Sequence, residues 1–264
     1  MSNSPIYSFN FDRTQIDIPY TNLTIDISPP WTYILTLGSC LLYLLLIVTI
    51  FPLFKSKFND SFAKIHYGLL FIYSLFSFLA TLYYIIQTEE IMSWSKFLCT
   101  PTPPWFRFIA ITFTISKIWE WFDTAVLISK GYSLSKIGFL HIYHHATTFL
   151  LFLCVTNFPG GEKSGMLLNG FVHTLMYYHF AFRLPKLFRP MITALQIIQL
   201  LIVTYIWRVV PNICPEYKHF PNENFLAYLI PHALVPVYCL FFFKFFIEQY
   251  LFSSSSSKKG KYSE

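Results

Sequence analysis

The run Ile137-Gly-Phe-Leu-His141-Ile-Tyr-His144-His145-Ala-Thr-Thr-Phe-Leu-Leu-Phe-Leu-Cys154-Val-Thr-Asn157 decides the fold. It is apolar over the length that crosses a bilayer, about 20 residues at 1.5 Å of rise each, yet it opens with three imidazoles. Their spacing of i, i+3 and i+4 puts all three on one face of a helix. Ionisable groups in hydrocarbon are costly and are kept for a role, so the run reads as a membrane helix that turns its histidines toward other helices.

Working outward, seven segments of this kind fall near 31–52, 66–86, 106–128, 137–157, 165–182, 191–210 and 226–251. Short breaks rich in Pro, Gly and charge separate them, as at Pro101/Pro103/Pro104 and Pro159-Gly160-Gly161. The last segment contains Pro231 and Pro236 and is expected to be kinked. Composition agrees: of 264 residues 55% are hydrophobic, 20% aromatic and only 12% charged, against about 25% charged in a soluble domain. That excludes a cytosolic enzyme and a disordered chain. The net charge of +6 comes without the basic, base-stacking motif of a nucleic-acid module. The expected architecture is an all-α membrane protein of seven transmembrane helices: residues 1–30 as an N-terminal segment, 31–251 as the helical domain and 252–264 as a Ser/Lys-rich tail. No cleavable signal peptide is read before the first span.

The positive-inside bias orients the bundle. Eleven cations (Lys55, Lys57, Lys64, Lys130, Lys136, Arg183, Lys186, Arg189, Lys258, Lys259, Lys261) lie on the side of the C-terminus, and six (Arg13, Lys96, Arg107, Lys163, Arg208, Lys218) on the other. The N-terminus is therefore expected to be lumenal and the C-terminus cytosolic. The sequon at Asn22 then lies where glycosylation occurs, and Cys99 and Cys214 share an oxidising compartment, so a disulfide between them is expected. No CxxC or CxH spacing suggests a structural metal.

Polar residues within the spans gather in the cytosolic half. Lys117, Glu120 and Asp123 recur every three residues, near one stripe of a helix and within reach of ion pairing. Asn169 and His173 share a face of the fifth segment at i, i+4; Gln196 and Gln199 enter the sixth. His66, His219 and His232 stand alone in sequence, so the set of histidine boxes needed for a membrane di-iron site is incomplete. A neutral imidazole can instead act as a nucleophile toward a thioester while a second histidine handles protons. A di-iron desaturase or hydroxylase, and a non-enzymatic seven-helix receptor or transporter, are the competing readings.

The run Lys117-x-x-Glu120-x-x-Asp123-Thr124, the box His141-x-x-His144-His145, the stretch Asn169-x-x-x-His173-x-x-Met176-Tyr177 and the run Thr193-x-x-Gln196-x-x-Gln199 stand in the order of the four signatures of the ELO family. The chain thus resembles the fatty acid elongases of the endoplasmic reticulum over about 31–251. It departs where the family's fifth-helix motif ends in two tyrosines, since His179 and Phe180 stand there. The resemblance implies a helix bundle around a narrow acyl tunnel with its active site facing the cytosol. It implies condensation of long-chain acyl-CoA with the co-substrate malonyl-CoA, giving 3-ketoacyl-CoA, CO2 and CoA without a cofactor. By position, His144 is the nucleophile and His173 faces it; His141 and His145, with Asp123 and Glu120, fix tautomers and ring planes. Asn169, Tyr177, Gln196 and Gln199 are unranked candidates to hold the enolate oxygen, and Lys130, Lys136, Arg183, Lys186 and Arg189 to hold CoA. Lys136 and Ala181-Phe182-Arg183 resemble the saturated and monounsaturated acyl elongases. Implied partners are the lipid bilayer, the ketoreductase, dehydratase and enoyl reductase of the cycle, and a second copy of the chain in a homodimer.

Overall fold

The structure, a computed structural model, describes residues 15–17, 24–26, 31–156, 160–185, 187–214 and 225–252. Lys186 and the sequon Asn22 lie outside the described residues. Two three-residue strands, β1 (Gln15–Asp17) and β2 (Thr24–Asp26), pair antiparallel with Gln15 opposite Asp26. The remainder is helical: α1 (Trp31–Thr49), α2 (Asp60–Gln87), α3 (Trp94–Cys99), α4 (Pro104–Trp119), α5 (Phe122–Ser129), α6 (Leu134–Ile137), α7 (Phe139–Val155), α8 (Gly161–Phe182), α9 (Phe188–Ile213) and α10 (Phe225–Phe246).

Local chemistry explains the starts. Asn59 caps α2 by accepting the Phe62 N–H at 2.8 Å, with Asp60 in the first turn against the helix dipole. Pro104 opens α4 where no amide donor is needed. Pro231 and Pro236 both lie inside α10, which runs on into a π-helical turn, Ile247–Phe252.

Among the described residues, three helical stretches, Asp60–Gln87, Phe188–Val210 and Tyr228–Phe252, are long and apolar enough to cross a membrane. Only 33%, 28% and 17% of their apolar windows are buried, so side chains such as Ile72, Leu201 and Leu240 face outward. Water would not stabilise such faces; lipid does. Leu37–Thr49 and Phe139–Val155 are shorter apolar helices.

The third segment departs from a single span. It divides at Glu120–Trp121 into α4 and α5, with the Trp121 indole donating to the His145 carbonyl at 2.9 Å. Around it, α2 packs along α8 more extensively than any other helix pair, α10 lies on α7 and α9, and α1 lies on α7. At Gly170 a Cβ would stand 3.3 Å from the Phe78 backbone nitrogen, so the α2–α8 approach depends on the missing side chain.

At one end of the bundle Cys99 and Cys214 form a disulfide that ties α3 to the end of α9. Beneath it the chain buries charges that the sequence placed in loops. Lys163 is 0% exposed and donates to Glu90 at 2.8 Å and to the Thr100 carbonyl at 2.9 Å. Arg107 and Glu162, also buried, approach within 3.8 Å, and Thr102 donates to Glu162. Gly160, at φ +69°, lies against Leu98, where a Cβ would meet the backbone oxygen at 2.4 Å.

Candidate active site

At the other end a cavity of about 950 Å³ opens between α5, α7, α8, α9 and α10. His141, His144 and His145 all border it from the first turns of α7, as the i, i+3, i+4 spacing requires. The His144 ring packs edge-on against Tyr238 (5.1 Å between centroids), His145 (5.5 Å) and Phe242 (6.0 Å). Its Nδ1 is buried and has no hydrogen-bond partner in the protein, and the same holds for His145 Nδ1, His179 Nδ1 and Gln199 Oε1. Buried polar atoms are almost always paired. Four unpaired ones bordering a single cavity point to a ligand that completes them.

The stripe Lys117, Glu120, Asp123 is divided between two networks. Lys117, 1% exposed, donates to Glu120 Oε1 at 2.7 Å and to Asn169 Oδ1 at 2.8 Å. Its ammonium also lies over the rings of Phe113 (4.2 Å) and Phe152 (4.8 Å). His173 Nδ1 stands 3.4 Å from the same Glu120 oxygen. An ammonium has only donors, so Asn169 must turn its oxygen to Lys117 and its amide protons away.

Asp123 does not join that pair. The helix break after α4 directs it toward α2 and α8, where His66 Nε2 meets Oδ1 at 2.7 Å and the Tyr177 hydroxyl donates to Oδ2 at 2.9 Å. His66, solitary in the sequence, is thus part of the site. It became visible only through the packing of α2 on α8; its place as a lone ionisable group in an apolar helix was the available signal. Of the four groups expected to fix tautomers and ring planes, Glu120 lies beside His173, while His141 pairs with a hydroxyl. His141 Nε2 meets Thr124 Oγ1 at 2.9 Å, and Thr124 Oγ1 meets the Tyr43 hydroxyl at 2.8 Å.

Gln196 and Gln199 border the cavity from α9, with Gln196 Nε2 3.6 Å from the Met176 sulfur. Lys130, Lys136, Arg183 and Arg189 border it where α5 and α8 end and α6 and α9 begin, joined by Lys244 of α10, which the sequence reading did not single out. Arg183 ends α8 in the left-handed conformation at φ +56°. Leu200, Phe241 and Phe242 supply apolar wall. Among the described residues, no three His, Cys, Asp or Glu side chains are grouped as ligands for a metal ion.

The chain is similar to known proteins over most of its length. The profile described as ELO: GNS1/SUR4 family matches residues 30–259. Putative fatty acid elongase 4 of Caenorhabditis elegans is 28% identical over 272 residues, covering 96% of this chain and 89% of its own. Very long chain fatty acid elongase 6 of Mus musculus is 30% identical over 193 residues, covering 67% and 70%. Fatty acid elongase 6 of Leishmania major is 32% identical over 170 residues, covering 62% and 42%. No solved structure matches.

Proposed function

The chain belongs to the ELO family, and from that premise we propose that this fatty acid elongase catalyses the condensing step, joining a long-chain acyl-CoA to malonyl-CoA. In this reading the protein resides in the endoplasmic reticulum membrane and all seven apolar segments cross it. The N-terminus and the Cys99–Cys214 disulfide are lumenal, and the C-terminus is cytosolic. The cationic mouth then faces the compartment that supplies CoA esters. Lys130, Lys136, Arg183 and Arg189 neutralise CoA phosphates, while the acyl chain extends along the aromatic wall toward the disulfide end.

His144 attacks the thioester carbonyl through an imidazole nitrogen; a C–N bond forms, the C–S bond breaks, and CoA leaves as its thiol after taking a proton. Malonyl-CoA then loses CO2, and the resulting carbanion attacks the acyl carbonyl. A new C–C bond forms, the C–N bond breaks, and the freed imidazole nitrogen takes up a proton from solvent, so that neutral His144 returns. His173, beside Glu120, handles the proton exchanged with CoA.

Hydrogen-bond direction ranks the candidates for the developing oxyanions. Tyr177 gives its only hydroxyl proton to Asp123. Asn169 has its oxygen taken by Lys117 and keeps two amide donors on a residue that borders the cavity. Asn169 is therefore the favoured donor. Lys136 and Arg183 at the mouth accord with saturated or monounsaturated acyl-CoA substrates. The ketoreductase, dehydratase and enoyl reductase of the cycle take the 3-ketoacyl-CoA onward, and a homodimer is compatible with this scheme.

The observation that carries the reading is the box of imidazoles with unpartnered nitrogens in the wall of a cavity that is cationic at its rim and apolar within. Purified protein in lipid nanodiscs, given radiolabelled malonyl-CoA with a series of long-chain acyl-CoAs, is expected to release CO2 and form 3-ketoacyl-CoA. Absence of both products across the series would sink the proposal.

A further inference from the structure

His66 is a buried histidine in an apolar helix, and the condensing scheme gives it no task. It does not border the cavity, yet the residue it holds does. Its Nε2 lies 2.7 Å from Asp123 Oδ1, and Asp123 and Tyr177 both line the wall. All three side chains are buried, Tyr177 completely.

The Asp123 carboxylate has two oxygens, and each has one partner. With Oδ1 on His66, Oδ2 is directed at the Tyr177 hydroxyl. That bond fixes the Tyr177 proton away from the cavity. The Tyr177 ring in turn packs edge-on against His173, with 5.4 Å between centroids and 78° between planes. A chain of contacts therefore runs from α2 through α5 to the proton-handling histidine of α8.

Resting on the condensing reading, we propose that His66 is a positioning residue for that reaction: by holding Asp123 it sets the Tyr177 hydroxyl as an acceptor and keeps the His173 ring in place. Without it, one Asp123 oxygen loses its donor inside a membrane protein. The carboxylate then rotates into the cavity or takes up a proton, and either change releases the Tyr177 hydroxyl to compete with Asn169 for the substrate oxygen. The Trp119 ring (6.3 Å, edge-on) and the Tyr67 ring (5.2 Å) enclose the imidazole.

The test is steady-state condensation by His66→Leu, His66→Gln and Tyr177→Phe, alone and combined, with wild-type protein alongside. Misplacement of reacting groups by about 1 Å costs roughly a hundredfold. His66→Leu should lower kcat by about ten- to a hundredfold, with KM for acyl-CoA nearly unchanged. His66→Gln, which places an amide N–H near the Nε2 position, should recover most of the loss. In the Tyr177→Phe background His66→Leu should add little, because the group through which it acts is already gone. If His66→Leu does not fold, His66→Gln against His66→Asn decides, since Asn carries its amide nearer the Nδ1 position and should rescue less. Wild-type kcat in His66→Leu, losses that multiply with those of Tyr177→Phe, or equal activity of the Gln and Asn variants would overturn the inference and leave the condensing reading standing. A wild-type protein that condenses nothing would sink that reading itself.

Discussion

Two buried lysines sit at different levels of the bundle in nearly the same surroundings. Lys117 has Glu120, the Asn169 oxygen and the rings of Phe113 and Phe152. Lys163 has Glu90, the Thr100 carbonyl and the rings of Tyr84 and Phe97. The partners of Lys117 border the cavity of the histidine box, whereas neither Lys163 nor Glu90 lines it. Lys163 instead lies under a covalent bridge, in a layer where Gly160 touches backbone. A buried ion pair is by itself weak evidence for function or for stability. What sets the Lys117 level apart is a group of imidazoles beside open volume, which on the condensing reading receives the substrate, whereas the Lys163 level lies next to the disulfide.

That contrast can be broken by substitution. His144→Ala, which removes the nucleophile and leaves the ion pairs, should lower condensation at least about a thousandfold, measured as 3-ketoacyl-CoA formed per folded molecule. Lys117→Met comes next, expected at about a hundredfold or more, because it frees the Asn169 amide to rotate and removes a preorganised oxyanion donor. Lys163→Met should act on the fold alone, destabilising by about 3–5 kcal/mol through an uncompensated Glu90 while turnover per folded molecule stays within about twofold of wild type. Equal losses of turnover in the two lysine variants at equal fold would erase the distinction.

Smaller effects sharpen the same contrast. Cys99→Ser should lower stability by about 2–4 kcal/mol, read as a shift in thermal unfolding in detergent, with kcat retained by the molecules that remain folded. Arg183→Gln and Arg189→Gln should raise KM for CoA esters several-fold and weaken its salt dependence, with little change in kcat. A loss of kcat in Cys99→Ser, or an unchanged KM in both arginine variants, would show that the two levels are misassigned.

How much of this the sequence disclosed follows from which contacts are local. The α7 face with its three histidines and the Lys117–Glu120 pair depend on helical periodicity, and both stand where the spacing put them. The Cys99–Cys214 pairing was reached from topology, and the structure joins the same two residues. That Asp123 pairs apart from Lys117 and Glu120 was not legible, because the helix break at Glu120–Trp121 has neither Pro nor Gly to announce it. Trp121 reaching the His145 carbonyl is a tertiary cause with no local mark. His66 was set aside for the same reason, since its partner is 57 residues away. Arg107 and Lys163 count in the sequence only toward the cations of one side, because composition does not show a folded plug that pairs its charges internally.

The central claim is that His144 carries the acyl group. The most direct measurement is the intact mass of the purified protein after brief exposure to acyl-CoA without malonyl-CoA. The account predicts a mass increase of one acyl group that maps to His144, disappears when malonyl-CoA is added, and is absent from His144→Ala. An unmodified protein that still condenses when malonyl-CoA is supplied, or an adduct that persists in His144→Ala, would contradict it.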